Sequence, residues 1–215
     1  VVTHVALPDT TVAEITVRTE VENLQPIAKQ VSVDLNLEGK KVTQEVNLAP
    51  KERKTVVFTP DVHKTLELKS PRLWWPNNYG RQELYTMDVV VAEKGVSSDS
   101  KKVRFGVREL SYELEVCFPD DSIRRVEYRP TVMGQGEPIF DNINRKYIEG
   151  GMCMPRLKKN VSSDILVPAP DKAMQHYMVI KVNGKRIFCK GGNWGMDDAM
   201  TVSYTHLTLP TTPYV

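Results

Sequence analysis

Hydrophobic and polar residues alternate with a period of two through most of the first half of the chain. The pattern is cleanest where Val31, Val33, Leu35 and Leu37 are separated by single polar residues. Such an alternation predicts strands that bury one face and expose the other, as in antiparallel sheets. The other segments of this kind are residues 2–7, 15–21, 42–48, 55–58, 85–91 and 103–107.

About seven strands in about 110 residues are typical of an immunoglobulin-like β-sandwich. The pattern continues from Val107 to Phe118, where Tyr112 and Leu114 alternate with Glu113 and other polar residues. We therefore assign residues 1–118 to this sandwich, and the chain to the all-β class. The Cys…Trp…Cys signature of antibody domains is absent from it.

Residues 119–176 are rich in proline and glycine and show no sustained period. Loops longer than about 12–15 residues are usually functional or disordered. We predict an irregular connector or insertion over this range.

A hairpin and a polar cluster follow the connector. Asn183-Gly184 tolerates positive φ at both positions, as a two-residue type I′ turn requires. The strand after the turn leads through two glycines to a cluster formed by Asn193, Trp194, Asp197 and Asp198. An aromatic face beside an amide and two carboxylates suits a polyhydroxylated ligand such as a sugar. A loop with a half-buried tryptophan and solvated acids is the competing interpretation.

Trp74 and Trp75 form a second unusual group, because they are adjacent and flanked by prolines. Two exposed indoles would make a carbohydrate platform. More often such a pair closes one end of a sandwich or packs against a neighbouring domain.

Composition excludes several other classes of function. The net charge is +2 and the basic residues are spread along the chain, so nothing indicates nucleic-acid binding. No apolar run approaches the roughly 20 residues of a membrane helix. The three cysteines lack metal-ligand spacing and form no disulfide framework. We expect no metal and no cofactor.

Three motifs, in order, resemble glycoside hydrolase family 2. They are PRLWWPNNYGRQELY at residues 71–85, FGVR at 105–108 and VNGKRIFCKGGNWGMDD at 182–198. The last is similar to the β-mannosidase, exo-β-glucosaminidase and plant-type endo-β-mannosidase branch. The resemblance implies that residues 177–200 begin a (β/α)8 catalytic barrel, truncated here after its first hairpin and strand.

The resemblance also implies a retaining hydrolase acting on an oligo- or polysaccharide with β-linked mannose or glucosamine. In that family the two catalytic glutamates come from later barrel strands. None of the glutamates here has the family's Asn-Glu context, so we assign no catalytic residue and expect this chain alone to be inactive. Asn193, Trp194 and Asp197 or Asp198 match the loop around the terminal sugar. Trp194 would stack on the ring, and an aspartate would bind hydroxyls or an ammonium.

Several expectations concern the parent protein. The first residue is Val1, so we expect an interior fragment whose jelly-roll and barrel domains lie elsewhere in the parent chain. Residues 201–215 break the family pattern and look like a non-native tail, so His206 has no role. The compartment stays open, with a periplasmic or secreted parent enzyme as the working expectation. The alternative function is a non-catalytic β-sandwich module that binds carbohydrate or serves as a spacer.

Overall fold

The computed structural model describes residues 1–133, 138–147, 153–162, 166–169, 178–189 and 191. Within these ranges the chain forms strands and one short 3-10 helix, Lys64–Leu66. The prediction of an all-β fold is confirmed for the described residues. The predicted tail 201–215 lies outside them.

The first eight strands form two four-stranded sheets. One sheet joins β1, β2, β5 and β6 through β2, and the other has the order β4-β3-β7-β8. Neighbouring strands in both sheets are antiparallel. The strand bounds are β1 Val2–His4, β2 Val12–Glu22, β3 Lys29–Leu37, β4 Lys40–Leu48, β5 Arg53–Phe58, β6 Glu67–Lys69, β7 Tyr85–Glu93 and β8 Val96–Phe105.

The apolar positions of the period-two pattern meet between these sheets. Ile15 and Phe58 of one sheet, and Val33 and Met87 of the other, are fully buried in one core. Burying each such side chain stabilises the fold by about 1.5–3 kcal/mol. The predicted sandwich strands are therefore confirmed up to Phe105, where β8 ends.

A third sheet holds all the strands that follow. Its order is β11-β12-β9-β10-β13, and β14 also pairs with β9. Its strands are β9 Leu110–Cys117, β10 Ile123–Tyr128, β11 Phe140–Tyr147, β12 Cys153–Leu157, β13 Val167–Pro168, β14 Val179–Val182 and β15 Lys185–Ile187. A second apolar core, which includes Val116, Val126 and Leu157, lies on this sheet.

Two sequence predictions are wrong at this point. The strand predicted from Val107 to Phe118 as part of the sandwich is β9 of the third sheet, because the chain leaves β8 at Gly106. The connector predicted to be irregular contains β10, β11, β12 and β13. In β10, charged side chains such as Arg125 and Glu127 pair with neighbouring strands, so a search for alternating apolar residues does not find it.

Candidate functional site

The predicted hairpin is present. Asn183 and Gly184 have φ values of +49° and +80° and connect β14 to β15, so the type I′ turn is confirmed. β14 also pairs with β9 from Leu110 to Glu113. The hairpin is therefore attached to the strand that follows directly after the sandwich.

Asn183 is buried and makes three hydrogen bonds across this junction. Its side-chain oxygen accepts from the Glu109 amide at 2.9 Å, and its own amide donates to the Glu109 carbonyl at 2.8 Å. Its side-chain nitrogen donates to the Trp74 carbonyl at 3.0 Å. One residue thus joins the turn to the start of β9 and to the loop between β6 and β7.

Trp74 lies at the centre of that junction. Its amide donates to the Val107 carbonyl at 2.8 Å, and the Arg108 guanidinium lies 4.6 Å from the centre of its ring. A methyl group on Gly106 would come within 2.8 Å of the Trp74 side chain. Only glycine at residue 106 allows the indole to approach the backbone this closely.

Trp75 faces the second strand of the hairpin. The Lys185 ammonium lies 5.3 Å from the centre of its ring, within cation–π distance. In the same loop, the Tyr79 hydroxyl accepts a hydrogen bond from the Phe188 amide at 2.7 Å. The two tryptophans are half-buried and contact neighbouring structure. These contacts favour the packing interpretation over a carbohydrate platform.

Glu109 is a fully buried carboxylate at the same junction. Its Oε2 atom accepts from the Val5 amide at 2.9 Å and lies 3.1 Å from His4 Nδ1. The residue therefore ties the start of the chain to the segment that binds the hairpin turn. Its Oε1 atom has no partner among the described residues.

A charge cluster centred on two buried glutamates lies on the face shared by β9, β10 and the hairpin. Lys181 Nζ is 2.6 Å from Glu127 Oε2 and 3.5 Å from Glu113 Oε1. Arg186 Nη2 is 2.9 Å from Glu113 Oε2, and Arg129 Nε is 3.0 Å from Glu127 Oε1. Charge-assisted hydrogen bonds of this kind are about twice as strong as neutral ones. The two strands of the hairpin are thus fastened to β9 and β10.

The surroundings of Glu127 favour its ionised form. Burial raises the pKa of the Glu127 carboxyl, but hydrogen bonds from Lys181 and Arg129 outweigh it and hold the pKa below its usual value. A glycosidase acid needs a raised pKa instead. From the sequence alone, Glu113 and Glu127 have no assigned catalytic role, and the cluster is not predicted. The feature that could have indicated the cluster is this pair of glutamates, which face each other when β9 and β10 pair.

The four residues predicted to bind sugar, Asn193, Trp194, Asp197 and Asp198, lie outside the described residues. The described chain ends nearby, at Cys189 and Gly191. Phe188, which precedes them, is 73% exposed.

Other kinds of site are not found in the described part of the chain. No helix in it has the length and apolarity to cross a membrane. No group of three potential metal ligands comes together in those residues. A cleft of about 330 Å³ lies at the sandwich end, between Trp74, Arg104 and Arg108.

Comparison with known proteins finds sequence similarity to exo-beta-D-glucosaminidases and an endo-beta-mannosidase. The exo-beta-D-glucosaminidase of Amycolatopsis orientalis is 38% identical over 102 residues, covering 47% of this chain and 9% of that protein. The mannosylglycoprotein endo-beta-mannosidase of Lilium longiflorum is 23% identical over 175 residues, covering 81% of this chain and 12% of that protein. The solved Amycolatopsis orientalis exo-chitosanase gives a TM-score of 0.44 at 33% identity, over 55% of this chain and 13% of that chain.

The chain thus spans about a tenth of the length of the two curated relatives. The model of the family described as glycosyl hydrolases family 2 matches residues 1–108, which is half of the chain. This range holds the two tryptophans that contact the hairpin and the FGVR motif that packs against Trp74. The chain belongs to glycosyl hydrolases family 2.

Proposed function

We propose that this chain is part of a retaining glycoside hydrolase that cleaves β-linked mannosyl or glucosaminyl residues. One observation carries the proposal beyond family membership. Asn183 joins the hairpin to the family-matched region through Trp74, and to Glu109 directly after that region. A free-standing carbohydrate-binding or spacer module would have no need for a hairpin built onto its end in this way.

In this proposal the hairpin opens the catalytic barrel, and residues 177–200 are its beginning. Active sites of such barrels lie at the carboxyl ends of the strands. Trp194 would cover the apolar face of the terminal sugar. Asn193, Asp197 and Asp198 would bind its polar groups, and an aspartate would pair with the ammonium of a glucosaminide.

The retaining reaction uses two carboxyl groups about 5–5.5 Å apart, one as nucleophile and one as acid/base. We expect both to lie in later strands of the barrel. The 215-residue chain alone should then bind the sugar without hydrolysing a glycosidic bond.

The native reading frame after Met200 provides the first test. We expect about 250 residues of alternating strand and helix, with two glutamates at strand ends. A native frame that ends without such a region would contradict the barrel. The sandwich would then be a binding or structural module.

The chain itself provides the second test. Titration with methyl β-glucosaminide and methyl β-mannoside, followed by NMR, should show binding of one of them. Asp197→Asn and Asp198→Asn separate the two sugars, because loss of a carboxylate should weaken an ammonium ligand far more than a neutral one. Hydrolysis of a chromogenic β-glycoside by the chain alone would contradict the placement of the glutamates.

A further inference from the structure

Two contacts hold the chain where it leaves the hairpin, one on each side of Ile187. Arg186 donates from Nη2 to Glu113 Oε2 at 2.9 Å and from Nε to Oε1 at 3.3 Å. The Phe188 amide donates to the Tyr79 hydroxyl at 2.7 Å. Glu113 belongs to β9, whereas Tyr79 belongs to the loop between β6 and β7. Residues 186–188 are therefore held by hydrogen bonds to two separate parts of the molecule.

Glu113 and Tyr79, which hold these two contacts, are themselves held by neighbouring residues. Glu113 is 1% exposed and is also approached by Lys181 and Arg125, at 3.5 and 3.6 Å. The Tyr79 amide donates to the Pro76 carbonyl at 3.0 Å within a tight turn. The next residue, Gly80, packs against Trp75 so closely that a methyl group there would come within 2.7 Å of the indole. Neither support can shift without disturbing a packed neighbour.

We propose that Tyr79 and Glu113 are positioning residues that set the direction in which the chain leaves β15. The inference rests on the proposed function, in which Asn193 and Trp194 bind the sugar a few residues later. Neither positioning residue touches the sugar. They act by fixing residues 186–188, so that less freedom is lost when the sugar binds.

The Tyr79 contact allows a sharp test, because its partner is a backbone amide and the ring itself stays in place on substitution. Tyr79→Phe removes one hydroxyl and leaves the aromatic packing. Tyr147→Phe is the matched control, since Tyr147 is 72% exposed. Arg186→Gln removes the ion pair with Glu113 by changing Arg186, its half-exposed partner.

The experiment measures two quantities on the full 215-residue chain: exchange of the Phe188 amide with D2O, and affinity for the methyl glycoside that the wild-type chain binds. In Tyr79→Phe the exchange should accelerate about fivefold, the factor that one ordinary hydrogen bond supplies. Affinity should fall by a similar factor. Arg186→Gln should lower the affinity as well, and Tyr147→Phe should change neither quantity.

Unchanged exchange in Tyr79→Phe would overturn the proposal, and so would faster exchange with undiminished affinity. A wild-type chain that binds neither glycoside would contradict the proposed function instead. The exchange rates alone would then test the hydrogen bond between Tyr79 and the Phe188 amide.

Discussion

The side-chain amide of Asn183 donates a hydrogen bond to the Trp74 carbonyl at 3.0 Å, across 109 positions of sequence. This contact joins the motif at residues 182–198 to the motif at residues 71–85. It gives a physical reason for both to occur in one protein. The loop that holds Trp74 and Trp75 contacts the hairpin turn, and the side chain of Asn183 makes the hydrogen bond between them.

We expect Asn183→Gly to destabilise the junction. Glycine keeps the positive φ of the turn, so the variant removes only the side-chain hydrogen bonds to Glu109 and Trp74. The free energy of unfolding in urea should fall by about 1–3 kcal/mol, the range for leaving buried partners unsatisfied.

Asn78→Gly is the matched control, because Asn78 also has a positive φ, at +70°, and is exposed. It should leave the free energy of unfolding within about 0.5 kcal/mol of the wild-type value. Equal effects of the two variants would show that backbone conformation, and not the bridge to Trp74, determines the loss.

Much of the sandwich was predictable because its core follows a simple rule. In β3 every second residue is apolar and buried, so Val31, Val33 and Leu35 reveal both the strand and its inner face. The type I′ turn was predictable for an equally local reason, since Asn183-Gly184 suits positive φ at both positions.

The third sheet was not predictable in the same way. β10 reads IRRVEY, and its buried Glu127 receives compensating charge from Arg129, two residues later, and from Lys181 of β14. Sequence periodicity treats such a glutamate as a solvent-facing residue. The role of Tyr79 was equally hidden, because its partner is a backbone amide, which no sequence pattern records.

The lowered pKa of Glu127 makes part of the stability depend on pH. Its stabilising contribution is present above the usual glutamate value of 4.5 and is lost as the pH falls through the lower value of the folded state. At pH 7, Glu127→Gln should lower the free energy of unfolding by about 1.5–3 kcal/mol. The gap between the variant and the wild type should narrow once the pH falls below about 4.5.

Urea unfolding at a series of pH values from 7 downward checks this expectation. Glu45→Gln serves as the control, since Glu45 is exposed on β4. A gap for Glu127→Gln that stays constant through the acid range would mean that the ion pairs with Lys181 and Arg129 do not stabilise the fold.

Close packing at Gly106 predicts another loss of stability. In Gly106→Ala the new methyl group meets the Trp74 side chain at 2.8 Å, and the indole must move. Overpacking of this kind costs about 1–3 kcal/mol. Gly191→Ala is the control, because a methyl group there meets no atom of the described residues within 4 Å. Thermal unfolding of both variants, with tryptophan emission as the signal, tests the difference. Equal melting temperatures would show that the loop between β6 and β7 accommodates the methyl group without loss of stability.

The three tryptophans of the chain allow the two interpretations of sugar binding to be separated by fluorescence. Trp74 and Trp75 contact the hairpin junction, so a bound sugar should leave their emission unchanged. Trp194 should respond, because stacking on a sugar removes water from the indole face. We therefore expect the emission change on titration with the bound methyl glycoside to persist in Trp75→Phe and to disappear in Trp194→Phe. Loss of the signal in Trp75→Phe alone would identify the tryptophan pair as the carbohydrate platform, and the hairpin loop would lose its assigned role.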